Sequence, residues 1–200
     1  MNIYLVRHGE TDWNRAGRLQ GHTDIPLNEN GRMQIGQVAE VLADICSDIE
    51  LILSSPLSRA YESAEIVADR LSYRKEDIIV EPLLIERCFG IGEGLTIAER
   101  EKYPGDNYPE MEVFEDLLSR AKSAFEKIVN SFNKVENILV VAHGALLYAM
   151  ITAITDGKIE YGGKLVTFDQ GSIHLIRYLE GAIEIARYSE EDAGFKNIRS

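Results

Sequence analysis

Ile3-Tyr4-Leu5-Val6-Arg7-His8-Gly9-Glu10-Thr11 begins as a short apolar run and stops abruptly at an arginine, a histidine and a glycine. It reads as a buried strand that delivers a cation and an imidazole to its carboxyl end. In open α/β sheets that edge is where ligands bind. A second run, Ile138-Leu139-Val140-Val141-Ala142, ends the same way, at His143-Gly144. Two histidines placed alike at two strand ends, with arginines nearby, point to a phosphate site built around a nucleophilic histidine.

Outward from these runs the chain alternates strand and helix. Gly31–Cys46 carries Ile35, Val38, Leu42 and Ile45 at helical spacing. Leu51–Leu53 is a further buried strand ending at Ser54-Ser55-Pro56, and Arg59–Leu71 returns to helical period. Ile78–Val80 reads as a short strand, residues 112–132 as a long amphipathic helix, and Ala145–Thr155 as a helix apolar nearly all round and so buried. Ser172–Tyr178 and Ile183–Tyr188, joined around Glu180-Gly181, read as a hairpin, and the tail after Tyr188 is expected to be loosely held. The fold class that follows is α/β, a three-layer α/β/α sandwich with a mainly parallel central sheet. Residues 9–30 and roughly 86–111 fall outside the pattern. Loops that long in a compact domain are usually functional, and both are placed to cover the carboxyl edge.

The 200 residues suffice for one compact core, so a single domain over residues 1–200 is expected. Met1-Asn2 leads straight into a four-residue apolar run, too short for a secretory signal, and no stretch is long enough to span a membrane. The two cysteines, Cys46 and Cys88, lack metal-ligand spacing and read as free thiols in a cytoplasmic protein. A net charge of −12 argues against nucleic acid and against an anionic membrane surface as partners. A phosphorylated ligand is also an anion, so local charge must override the global excess. Residues 1–20 do so, with Arg7, Arg15 and Arg18 against Glu10 and Asp12. The sequence is compatible with a homodimer and does not fix the oligomeric state.

Arg7 and His8 end one strand, His143 ends another, and Arg59 opens a helix just after Ser54-Ser55-Pro56-Leu57. Cations and imidazoles at a buried edge are costly unless paired, so four of them converging implies an anion between them. Other chemistries lack support. Gly90-x-Gly92-x-Gly94 does not have dinucleotide-binding spacing, and no glycine-rich loop ends in Lys-Ser/Thr. The four histidines show no zinc-ligand pairing, and His22 and His174 read as surface or packing residues.

Arg7-His8-Gly9-Glu10-Thr11 with Trp13-Asn14 resembles the signature of the histidine phosphatase superfamily, the phosphoglycerate-mutase-like proteins of branch 1. The resemblance continues collinearly through Gln20-Gly21, Asp24-Ile25-Pro26-Leu27 and Gly31, Ser54 to Ala60, Glu86 with Phe89-Gly90 and Glu93-Gly94, and His143-Gly144. It implies that His8 is the nucleophile, attacking phosphorus through Nε2, with its other ring nitrogen fixed by an acceptor. A main-chain carbonyl in the Gly9–Glu10 turn would serve. It also implies that Arg7 and Arg59 clamp the phosphoryl oxygens, that a protonated His143 adds a donor, and that Glu86 shuttles the proton. Glu10, Asp12 and Glu93 stand in reserve for that last role. Asn14, Gln20, Gly21 and Gly144 would contact the phosphate, with a helix or turn cap the alternative for Asn14, and Arg87 would reach substrate beyond it. Neither metal nor cofactor is called for, since the arginines neutralise the charge.

The same constellation serves hydrolysis of a small phosphorylated metabolite or, in a mutase, transfer of the phosphoryl group within a phosphorylated acid. The mutases it resembles carry a long insertion over the site, whereas here only Thr96 to Pro109 intervenes before the acidic helix, which favours hydrolysis. The Glu86-Arg87 pair resembles the mutase version of that motif and keeps the alternative open. A non-catalytic phospholigand-binding module is the third reading, one in which His8 or Glu86 would be expected to be lost. Gly92 and Cys88 stand where phosphatase relatives often carry tryptophan and aspartate, and Tyr61 and Ser63 also depart from the pattern; these differences bear on the substrate pocket.

Overall fold

In the computed structural model, which describes residues 1–157, 160, 161, 164, 165, 167–189, 191 and 193–199, a seven-stranded sheet is the middle layer. The elements run β1 (Asn2–Arg7), α1 (Asp12–Arg15), α2 (Glu29–Ile45), β2 (Leu51–Ser54), α3 (Ser58–Arg70), β3 (Ile79–Val80), α4 (Ile97–Arg100) and α5 (Phe114–Ser131). They continue with β4 (Asn137–Ala142), α6 (Gly144–Ile154), a small pair β5 (Glu160–Tyr161) and β6 (Lys164–Leu165), then β7 (Ile173–Leu179), β8 (Ala182–Ser189) and β9 (Gly194–Arg199). The strand order in the large sheet is β3-β2-β4-β1-β7-β8-β9. The first four are parallel and the last three join antiparallel.

The continuous apolar runs of β1 and β4 exist because both sheet faces are covered. Ile3, Leu5, Ile138, Val140 and Ala142 point to α5 and α6, which contribute Leu117, Phe125, Ile128, Leu147 and Met150. The alternate residues Tyr4, Val6, Leu139 and Val141 face α2 and α3 with Ile35, Leu42, Ala64 and Val67. Each fully buried aliphatic side chain contributes on the order of 1.5–3 kcal/mol. A one-residue slip of β1 would exchange its two faces, so burial pins the register.

That register builds the edge. Arg7 pairs with Ala142 and Ser54 with Val141, so the residues that follow, His8, His143 and Ser55, come side by side. The alignment extends one step past the strands: His8 N–H donates to Ala142 O at 3.1 Å and Ser55 N–H to Val141 O at 3.0 Å.

The chain beyond Tyr188 departs from expectation. Gly194–Arg199 is a seventh strand on β8, and Phe195 packs its ring against Tyr188 and Tyr4. Burial against those two rings gives it a reason to pair that its own polar sequence hides. Among the described residues no helix is long and apolar enough to cross a membrane.

Candidate active site

A cleft of about 490 Å³ opens at the carboxyl edge, lined by Arg7, His8, Asn14, Gln20, Gly21, Arg59, Glu86 and Gly144 from the residues singled out above. His143 lies beneath it, fully buried, its ring edge-on to His8 with centroids 5.1 Å apart.

His8 is 1% exposed, and its Nδ1 stands 2.7 Å from Gly9 O. A carbonyl can only accept, so Nδ1 carries the proton and Nε2 keeps its lone pair. Burial, then Arg59 and Arg7, push the imidazole well below its ordinary value, outweighing the Gly9 carbonyl. The ring is therefore neutral at physiological pH.

The expectation of a protonated His143 concerns the site with a phosphate in it. Burial, then Arg59, His8 and Arg7, hold the imidazole well below the ordinary value, so in the unliganded protein it is neutral. Its Nε2 is 2.7 Å from Ser55 Oγ, which also accepts from Leu57 N–H at 3.3 Å. Were Nε2 to donate, the serine hydrogen would have no acceptor among the described residues. Ser55 O–H therefore donates to Nε2, and the proton sits on Nδ1, which is buried without a partner. A neutral donor is still available there. Sequence reading took Ser54-Ser55-Pro56 as a strand end and missed Ser55.

Arg59 is fully buried and begins α3, whose first turn is tied down by Asp24 through Ser58 N–H and Oγ at 2.8 and 2.7 Å. Its guanidinium is aimed by main-chain carbonyls, with Nη1 donating to Thr23 O at 3.0 Å and Nη2 to Gly21 O at 2.8 Å. Burial lowers it to about 10 against the pull of Glu86 and Asp24, so it stays a cation. Arg7 donates through Nη1 to Phe168 O. The Nε atoms of Arg7 and Arg59 are both buried and unpartnered among the described residues. Ser63 joins the two halves: its Oγ accepts from Gly9 N–H at 3.3 Å and donates to Arg59 O at 2.7 Å.

Glu86 sits at the amino end of α6, where the first N–H groups of the helix lack partners within it. Oε1 accepts from Arg87 N–H at 2.9 Å and Leu146 N–H at 3.1 Å, and Oε2 only from Ala145 N–H at 3.4 Å. Gly144 lets Arg7 lie against this helix start; a Cβ there would stand 3.3 Å from the guanidinium carbon. His22 was read as a surface or packing residue, yet its Nε2 donates to Glu86 O at 2.8 Å and props the main chain there.

Asn14 is both cap and wall. Its Oδ1 closes a capping box with Thr11 at the start of α1, while the residue lines the cleft. Gln20 accepts from Thr11 Oγ1 at 2.7 Å. Gly21 has φ +56°, and a Cβ there would lie 2.1 Å from Glu93 Oε1.

The reserve acids are occupied elsewhere. Glu93 accepts from His22 N–H, Phe89 N–H, Thr23 N–H and Thr23 Oγ1, binding the two long loops together. Burial raises its carboxyl, but these bonds win and hold it below the ordinary value. Glu10 accepts from Asn28 Nδ2 at 2.8 Å, and exposed Asp12 pairs with Arg15.

Arg87 does not reach the cleft. Its Nε donates to Glu112 O at 3.0 Å and its guanidinium lies 5.6 Å from the Phe89 ring and 5.8 Å from that of Phe114, which accounts for it as a packing residue. Missed by sequence reading were Arg18, Phe89, Arg100, Tyr148, Thr167 and Phe168, which also line the cleft. Over Gly92 the ring of buried Tyr108 is packed. Among the described residues no group of three or more His, Cys, Asp or Glu side chains is placed to hold a metal ion.

The model of the histidine phosphatase superfamily (branch 1) matches residues 3–191. The chain belongs to that superfamily. It is 40% identical over 159 residues to the uncharacterized phosphatase PhoE of Bacillus subtilis (strain 168), covering 79% of each protein. It is 36% identical over 186 residues to the metal-independent phosphoserine phosphatase of Arabidopsis thaliana, covering 86% of this chain and 76% of the relative. Among solved structures, mycobacterial glucosyl-3-phosphoglycerate phosphatase in complex with VO3 superposes with a TM-score of 0.79 at 26% identity, over 93% of this chain and 96% of the other. The superfamily's α/β sheet is thus the fold found here.

Proposed function

We propose that this superfamily member is a phosphatase that hydrolyses small phosphomonoesters through a phosphohistidine at His8, without a metal or cofactor. The observation that carries this reading is the Nδ1 contact to Gly9 O, which leaves His8 Nε2 unprotonated among Arg7, Arg59 and Glu86.

Nε2 attacks phosphorus and the bond to the ester oxygen breaks, with Glu86 giving its proton to the leaving oxygen. Arg7 and Arg59 hold the equatorial oxygens, where the charge of the transition state collects. His143 donates from Nδ1 as a neutral group. In the second half a water attacks the phosphohistidine, its proton passes to the Glu86 carboxylate, the P–N bond breaks and inorganic phosphate leaves. A proton taken up by Glu86 in one cycle is thus available to the next.

Phosphoryl transfer to a second hydroxyl is the competing outcome, and the chain is 34% identical over 161 residues to phosphoglycerate mutase-like protein 4 of Arabidopsis thaliana, at 74% coverage of this chain. The short cover, with the four-residue α4 between Glu86 and α5, favours water as acceptor. The deciding assay is phosphate release from p-nitrophenyl phosphate and from a phosphoglycerate, with and without a chelator. The proposal expects free phosphate at equal rates in both conditions. Isomerised phosphoglycerate with no free phosphate, or loss of activity on chelation, contradicts it.

A further inference from the structure

The mechanism above uses two of the four arginines that line the cleft. Arg18 and Arg100 remain, and they come from opposite walls: Arg18 follows α1 in the first long loop, Arg100 ends α4 in the second. Their braces cross. Arg18 Nη1 donates to Gly94 O at 2.6 Å in the second loop, and Arg100 Nη2 donates to Gly17 O at 3.1 Å in the first. Each guanidinium is thus anchored by one donor to the loop opposite its own, and both residues line the cleft.

Neither makes a salt bridge among the described residues. This is unexpected for Arg100, which lies in a stretch, residues 96–120, with seven acids against three bases. Its Nε is buried and unpartnered. Among the described residues, the cleft lining holds one acid, Glu86, against four arginines, in a chain whose net charge is −12. Buried donors left unpaired are costly, and fixed guanidinium forks match planar or tetrahedral anions. One phosphoryl group accounts for Arg7 and Arg59 and leaves Arg100 unmatched, with Arg18 meeting the charge of Glu99 beyond salt-bridge distance.

We infer that the site is built for phosphomonoesters whose leaving group carries a second anionic group, bound by Arg100 with Arg18 beside it. The inference rests on the phosphatase reading and narrows its substrate class. The two loops then act as one reader: a ligand reaching both arginines closes a bridge from the carbonyls of Gly17 and Gly94 across the cleft. The ester bond lies between the two anion sites, which sets the distance at which the second charge is useful.

The test is the ratio of kcat/KM within matched pairs. O-phosphoserine and O-phosphoethanolamine differ only in a carboxylate; a hexose bisphosphate and its monophosphate differ only in a phosphoryl group. The native protein is expected to favour the anion-bearing member of at least one pair by about tenfold or more, the size of one charge-assisted contact. Which pair shows it identifies the anion. Arg100→Met should bring that ratio to within about twofold of unity, mainly through KM, and Arg100→Lys, which keeps the charge without the fork, should retain an intermediate ratio. A native ratio near one in both pairs, or a ratio untouched by Arg100→Met, overturns the inference while leaving hydrolysis of p-nitrophenyl phosphate, and with it the phosphatase reading, intact. Failure to hydrolyse any monoester overturns both.

Discussion

The cleft has two halves made in different ways. The inner half, His8, His143, Ser55 and Arg59, is set by the strand ends of β1, β4 and β2 and by the start of α3, and every one of those side chains is essentially buried. The outer half mixes sources: Arg18 and Phe89 come from the long loops, Arg100 from the short α4 and Tyr148 from α6, with the two arginines held by main-chain carbonyls and Arg18 exposed. Ladder register fixes a nucleophile to a fraction of an ångström, whereas crossed loop braces can be rearranged by a few substitutions. On the proposed reading, chemistry falls to the inner half and selection of the leaving group to the outer.

The largest expected effect is at the proposed proton shuttle, Glu86, held at the amino end of α6 beside the inner half. Glu86→Gln keeps the size of the side chain but removes the exchangeable proton, and should slow alkyl phosphates by about 10²–10⁴-fold. An aryl phosphate, whose leaving oxygen needs no proton, should lose much less. Equal losses in a side-by-side assay would remove Glu86 from the acid role.

A smaller effect is expected at Ser55. Without its hydroxyl the His143 tautomer is no longer selected, so Ser55→Ala should lower kcat about tenfold with little change in KM. Nitrogen NMR of the imidazole gives the independent readout: the proton should sit on Nδ1 in the native protein and be shared between the two nitrogens in the variant. An unchanged tautomer would confine Ser55 to packing.

The smallest effect sharpens the boundary between the halves through stability. His8, His143 and His174 are held neutral by burial, His174 down to about 3, stacked on Phe168 with ring centroids 4.1 Å apart. Unfolded, each takes up a proton near its ordinary value of 6.5. The unfolded chain then binds more protons, so stability is full above that value and falls as the pH drops below it. Denaturant unfolding should show lower stability at about pH 5 than at about pH 7, and His174→Leu should reduce that difference; an unchanged difference would remove His174 from it.

Much of the inner half was legible. A run apolar at every position has one home in a sheet covered on both sides, and the residue after it must lie at the edge. The placing of Arg7, His8 and His143 follows from that, while the Gly9–Glu10 carbonyl came only with the resemblance to the superfamily. Ser55 did not, because its importance is a register fact: only the pairing of Ser54 with Val141 brings it to His143. Nor did Arg100, since α4 is four residues long, too short for periodicity, and exists through the Thr96–Glu99 capping box. Arg87 was misjudged by adjacency to Glu86. The two neighbours part, Glu86 to the start of α6 and Arg87 to the rings of Phe89 and Phe114. The burial of His143, which holds its ring neutral in the unliganded protein, is another fact the sequence does not show.

The central claim is a bond between phosphorus and His8 Nε2. Protein quenched in alkali during turnover of a radiolabelled phosphomonoester should carry label that survives base and is lost in acid. Phosphorus–nitrogen NMR of the isolated peptide should place it on Nε2 of residue 8, and His8→Ala should carry none. Label on Nδ1, label on another residue, or turnover that persists in His8→Ala would contradict the account.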